Sequence, residues 1–279
     1  MSNWKNINGI DLETLKSNRK SLHQAVQIVS TLPRNVLPHD PTDATASLVW
    51  NTKTNGLESI PVPNPKGIDI RAGLAFHSFS LYISENGDII SSFALEGKSI
   101  IEGFGWLKKE LAKADIPTEK LNLDLPYEIE KYDYSKVLSV DYSSLKEYAF
   151  LYDNTLHVLT SLVEKYENAF DIRCWPHHFD LATLIPVELD EKDEIVKSIG
   201  IGLSPGDEGV EEPYVYVNVW PNVDFAVLSQ NQLPAGHWNA EGWSGAVLTY
   251  TELLKATDQQ ESFSGFIDQS LSVISSNIK

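Results

Sequence analysis

Apolar and polar residues alternate along the chain in two regimes, helical and strand-like, and their order begins again past the midpoint. From Asp11 to about Leu32, Leu15, Leu22, Val26 and Val29 fall on one side at helical spacing, and Pro33 supplies a stop. A loop with Pro38 and Pro41 leads into Ser47-Leu48-Val49-Trp50, a short strand. Asn55-Gly56 predicts a tight turn into a second strand, Leu57 to Val62, whose pairing is limited by Pro61, Pro63 and Pro65. Ile68 to Ser84 is strand-like, Glu85-Asn86-Gly87-Asp88 is a hairpin turn, and Ile89 to Leu95 returns as the next strand. Ile100 to about Ala114 then places Ile101, Phe104, Leu107 and Leu111 on one helical face and ends before Pro117. Residues 117–144 show no clean period and read as a connector that wraps the surface.

The pattern restarts with Leu145, Tyr148, Tyr152, Leu156, Leu159 and Val163 on one helical face. Ser21-Leu22-His23 is echoed by Thr155-Leu156-His157, Leu48-Val49-Trp50 by Arg173-Cys174-Trp175, and Ile60-Pro61-Val62 by Ile185-Pro186-Val187. Leu95-Glu96-Gly97-Lys98-Ser99 matches Ala240-Glu241-Gly242-Trp243-Ser244 ahead of a terminal helix. Matches in the same order predict an internal duplication with a pseudo-twofold relation: a first half at 1–116, the connector 117–144, and a second half at 145–279. The expected class is α+β, two antiparallel sheets each with packed helices, joined into one compact body.

Composition adds exclusions. A formal charge of -17 without a basic stripe disfavours nucleic acid and anionic membranes as partners. The start, Met1-Ser2-Asn3-Trp4, lacks a signal-peptide pattern and no window approaches 18 apolar residues, so a soluble, cytoplasmic protein is expected. The single cysteine, Cys174, excludes an internal disulfide and a multi-thiolate metal site.

The chemistry concentrates in the second half. Trp175-Pro176-His177-His178-Phe179-Asp180 packs two imidazoles and a carboxylate into six residues, and Gly236-His237-Trp238-Asn239-Ala240-Glu241-Gly242-Trp243 repeats that mixture. The first half has Thr52, Lys53 and Asn55 in place of His177, His178 and Asp180, and Ser92 opposite His237, so the histidine site exists once. In a strand, His178 and Asp180 would share one face and Trp175, His177 and Phe179 the other. Two readings follow for His177, His178, Asp180, His237 and Glu241. They line a cleft for acid/base chemistry, with His178, Asp180, His237 and Glu241 able to hold one divalent metal ion, or they form a structural polar core. The spacing matches no zinc ribbon and no His-Glu-x-x-His helix.

Tyr214-Val215-Tyr216-Val217-Asn218-Val219-Trp220 alternates strictly. Its valines predict a core face, and Tyr214, Tyr216, Asn218 and Trp220 predict a ring-stacking platform with Trp175, Trp238 and Trp243. Ser204 and Asp207 could line the same site; as residues of Ser204-Pro205-Gly206-Asp207 they also read as turn formers, with no phosphate-loop or nucleophile-elbow pattern.

Taken together, Trp175-Pro176-His177-His178-Phe179-Asp180, Gly202-Leu203-Ser204-Pro205-Gly206-Asp207 and Gly236-His237-Trp238 with Glu241-Gly242-Trp243 resemble the signature of an uncharacterised, mainly bacterial family known only as a domain of unknown function. The resemblance implies no activity, ligand or catalytic residue. The expectations are therefore a small polar metabolite bound or transformed in the cleft, or a non-catalytic protein whose exposed aromatics meet a partner.

Overall fold

The computed structural model describes residues 4–40 and 44–278, which form an α+β fold of helices and antiparallel strands. The expectations on Met1-Ser2-Asn3 and on Pro41 fall outside these residues. The chain divides into two compact units that are interleaved along the sequence.

Residues 10–149 and 173–179 form the first unit. Its long helix α1 (Leu12–Val36) starts at Asp11, whose carboxylate accepts the Thr14 N–H, and buries Leu15, Leu22, Val26 and Val29 as the spacing predicts. Pro33 does not stop it. The ring removes only its own N–H, and the Leu37 N–H still reaches the Pro33 carbonyl at 3.0 Å.

Seven strands follow, β1 (Leu48–Asn51), β2 (Gly56–Ser59), β3 (Val62–Pro63), β4 (Asp69–Ala75), β5 (Ser80–Glu85), β6 (Asp88–Ala94) and, much later in sequence, β7 (Arg173–Trp175). Their antiparallel order is β7-β1-β2-β4-β5-β6, with β3 beside β4. Asn86 and Gly87 take the positive φ values, 47° and 91°, that a two-residue hairpin between β5 and β6 requires. The stretch from Ile68 to Ser84 is two strands rather than one. It turns at 76–79 without Gly or Asn because Phe76 and Phe79, both fully buried, anchor the corner in the core.

Leu57, Leu74 and Leu81 lie in register and face the helices. There α2 (Ile100–Lys113) closes in through Gly103, where a Cβ would stand 2.8 Å from Leu95 and 3.1 Å from Ile28. The buried stripe of α2 is Ile100, Gly103, Leu107 and Leu111, so the expected Ile101 turns outward instead. The connector wraps this unit: the Leu138 N–H donates to the Lys98 carbonyl and the Leu138 carbonyl accepts from the Gly97 N–H, and Ser139 and Val140 donate to the Glu96 carboxylate.

A third helix, α3 (Tyr142–Lys165), begins in the first unit and ends in the second, whose described residues are 4–9, 150–172 and 180–278. Here the strands are β8 (Asp180–Leu189), β9 (Ile195–Ser204), β10 (Tyr214–Trp220), β11 (His237–Asn239) and β12 (Gly245–Thr249), in the antiparallel order β8-β9-β10-β12-β11. Between them lies the single-turn helix α4 (Phe225–Leu228); after them come α5 (Tyr250–Leu254) and α6 (Gln259–Asn277). Val215, Val217 and Val219 are buried, and the apolar stripe of α6, with Phe263, Phe266, Ile267 and Ile274, packs against β10 and β12. The valine face is the core face, as the alternation predicts.

One sequence match does not survive. Leu95–Ser99 leads from β6 directly into α2, whereas Ala240–Ser244 is the turn between β11 and β12, with a whole strand between it and α5. The two pentapeptides occupy different places in the strand order.

Candidate functional site

The first unit holds the Trp-Pro-His-His turn. Strand β7 ends at Trp175 because Pro176 cannot donate to a ladder, and residues 176–179 form a turn closed by the Phe179 N–H on the Trp175 carbonyl. Phe179 sits at φ 59° and is buried, its ring stacked on that of His23 at 5.6 Å and 4°. The expected strand alternation through His177 and His178 is thus replaced: the two imidazoles pack together, ring centroids 4.2 Å apart. His177 is half-buried against Tyr127 and Trp175, and His178 is exposed.

Helix α1 holds this turn from behind. His23 Nε2 and Gln27 Nε2 both donate to the Pro176 carbonyl, at 2.8 and 2.7 Å. Nε2 therefore carries the His23 proton, and Nδ1 accepts from the Tyr132 hydroxyl at 3.3 Å. Gln27 Oε1 in turn accepts from the Tyr127 hydroxyl at 2.8 Å. Burial pushes the His23 pKa down to about 4, a neutral imidazole at neutral pH. None of His23, Gln27, Tyr127 and Tyr132 follows from the motif. Their signal is two polar residues spaced i, i+4 within the apolar stripe of α1.

The second unit holds the platform. Side-chain alternation and register put Tyr214, Tyr216, Asn218 and Trp220 on the face opposite the valines, in line with His237 and Asn239 of β11. Three glycines lie beneath two of these side chains and the nearby Trp243. A Cβ on Gly200 would meet Asn218 Oδ1 at 2.2 Å, one on Gly202 would meet the Tyr216 hydroxyl at 2.9 Å, and one on Gly245 would meet the Trp243 ring at 2.6 Å. Asn218, Tyr216 and Trp243 therefore lie flat along the sheet, with Tyr216 and Trp243 centroids 6.4 Å apart. The Tyr216 hydroxyl donates to Asp180 Oδ2 at 2.6 Å, which fixes the ring. All three flat side chains are half-buried and Trp220 is 56 % exposed.

Other expected residues have different duties. Trp238 pairs with Ala246, not with a residue of the platform face, and its indole N–H donates to the Asn231 carbonyl at 2.7 Å, tying down the preceding loop. Asp207 accepts the N–H groups of Gly209 and Val210 and the Tyr214 hydroxyl, and Ser204 Oγ accepts from Gly206 N–H, so both organise the loop before β10. Burial, then the Asp207 bond, raises the Tyr214 pKa.

The metal set His178, Asp180, His237 and Glu241 is not assembled. Among the described residues no three His, Cys, Asp or Glu side chains gather to hold an ion. Within the second unit the reason is strand order. Asp180 starts β8 and His237 starts β11, four strand spacings apart, roughly 19 Å. The carboxylate beside His237 is Glu252, at 3.3 Å, which also caps α5 through the Thr249 N–H. Glu241 is an exposed turn residue whose backbone carbonyl accepts from Asn239.

Among the described residues no helix is long and apolar enough to cross a membrane. The sequence model of one family, described as a family of unknown function (DUF5996), matches residues 7–277. No curated protein and no solved structure matches the chain.

Proposed function

Since the chain belongs to the DUF5996 family, whose function is unknown, the chemistry of its surfaces is the guide, and we propose that it binds a small polar, ring-shaped metabolite of carbohydrate type on the platform of the second unit. The carrying observation is the set of flat side chains over Gly200, Gly202 and Gly245. A sugar ring presents C–H groups on its faces and hydroxyls around its edge. Tyr216 and Trp243 supply aromatic faces for the former, and for the latter the Asn218 amide supplies donors and an acceptor and Asn239 its Oδ1 acceptor, the Asn239 NH2 being held by the Glu241 and Trp243 carbonyls. Asp180 orients Tyr216 instead of contacting ligand.

The test is isothermal titration with a panel of mono- and disaccharides. Saturable binding that falls about tenfold or more in both Trp243→Ala and Tyr216→Leu supports the reading; binding unchanged in both, or no binding by any sugar, contradicts it.

For the Trp-Pro-His-His turn the structural reading is favoured by one observation, the paired donation of His23 and Gln27 to the Pro176 carbonyl. There the histidines belong to a clamped corner. We also propose that the two units descend from a duplication. In support, each half of the sequence, from α1 to α2 and from α3 to α6, runs helix, short strand, turn, antiparallel strands, helix, and Ser99–Glu102 and Thr249–Glu252 form equivalent capping boxes. Ile60-Pro61 separates β2 from β3, and Ile185-Pro186 lies where the pairing of β8 shifts.

A further inference from the structure

A cleft of about 300 Å³ lies between the C-terminal part of α3 and α6, within the second unit and on the valine side of its sheet. It is not absorbed by the platform reading. Its floor is apolar, with Leu162, Ile267 and Leu271 all nearly or fully buried. Its walls carry the small polar side chains of Ser161 and Ser264. At the mouth stand a cation from α3, Lys165, and an anion from α6, Asp268. Among the described residues no ion pair joins these two, and the Lys165 ammonium stands 5.6 Å from the centroid of the neighbouring Tyr166 ring. Asp268 also lines two adjoining hollows, which makes it the common point of this surface.

An apolar floor beneath one positive and one negative charge suits a ligand with the reverse arrangement on an apolar stem. We propose that this cleft binds a free α-amino acid with an apolar side chain. Its side chain rests on Leu162, Ile267 and Leu271, its ammonium pairs with Asp268 and its carboxylate with Lys165. The volume is at the small end of ligand sites, which fits a single amino acid. Having both charges on the ligand explains why neither a cationic nor an anionic pocket was built. Each charge, exposed to solvent, adds modest affinity, and the pair together selects the zwitterion.

The experiment is calorimetric titration of the full chain with L-leucine, L-methionine and L-phenylalanine, and with two half-ligands, 4-methylpentanoate and 3-methylbutylamine, which lack the ammonium and the carboxylate respectively. The expected result is saturable binding of at least one amino acid and binding of each half-ligand weaker by about tenfold or more. Asp268→Asn and Lys165→Met, both at exposed positions that leave the fold intact, each weaken the amino acid to the level of the matching half-ligand. Ser264→Leu, checked for an unchanged thermal melt, fills the cleft and removes binding. No saturable heat from any of the three amino acids overturns the proposal, as does equal affinity for a half-ligand or full binding by Ser264→Leu.

Discussion

Two tyrosines in this protein lie over two glycines, and only one of them is open to solvent. In the first unit Tyr82 crosses Gly73, where a Cβ would stand 2.1 Å from the ring, and its hydroxyl meets Thr54 at 3.1 Å and bonds the Glu58 side chain. In the second, Tyr216 crosses Gly202 toward Asp180. The device is the same: a strand tyrosine laid across the glycine paired with it, its hydroxyl held by a carboxylate two strands away. The surroundings differ. Tyr82 is 1 % exposed, and burial first, then the Glu58 charge, raises its pKa far above that of a free phenol. Tyr216 is half-buried, with Asn218 and Trp243 beside it and Trp220 further along the same face. The first unit shows that such a tyrosine can be closed into the core. Leaving its counterpart open with two more aromatics alongside is therefore not demanded by the backbone, which is why the open face is read as a binding surface.

The largest expected effect contrasts the tyrosines directly. Tyr82→Ala should lose about 3–5 kcal/mol of stability, as for a buried aromatic, and Tyr216→Ala roughly 1 kcal/mol. Urea melts of the two variants decide it; equal losses would mean that the platform is core.

Next comes the buried polar chemistry of the first unit. His23 has its pKa lowered to about 4 in the folded state, against 6.5 for a free imidazole, so between these values the unfolded chain binds the extra proton. Stability from this group is fully present above about pH 6.5 and is lost as the pH falls toward 4, on the order of 3 kcal/mol in total. The measurement is the slope of unfolding free energy between pH 6.5 and 4.5, and His23→Gln should flatten it. A slope unchanged by that substitution refutes the clamp.

The glycines separate the faces more finely. Gly73→Ala drives a methyl group into a ring that has nowhere to go, at a cost of about 1–3 kcal/mol. Gly200→Ala meets only the end of Asn218, which can swing into solvent, so it should cost less than about 0.5 kcal/mol while roughening the platform. Thermal melts of both variants check the order.

Much of this contrast is legible in the residues. The strict alternation of Tyr214 to Trp220 marks both faces of β10, and Asn86-Gly87 marks the hairpin between β5 and β6, because period and turn chemistry are local. What is not legible depends on partners distant in sequence. His177 and His178 leave the strand pattern at Pro176, but the left-handed Phe179 that completes the corner is stabilised by His23, more than 150 residues away. Trp238 and Trp243 look alike in their motif, yet a turn between them sends Trp243 over Gly245 and Trp238 toward Asn231. Glu241 stands close to His237 in sequence, but the partner is Glu252, because β12 returns alongside β11 and delivers the cap of α5 to the imidazole.

The difference between those two tryptophans offers the most direct test of the binding surface. Indole N–H signals in the ¹⁵N–¹H spectrum, assigned by single Trp→Phe variants, can be followed while the best-binding sugar of the panel is added. The account predicts a progressive shift of the Trp243 signal and of the Asn218 side-chain amide, with the Trp238 signal unmoved. A shift at Trp238 with Trp243 and Asn218 stationary would contradict it.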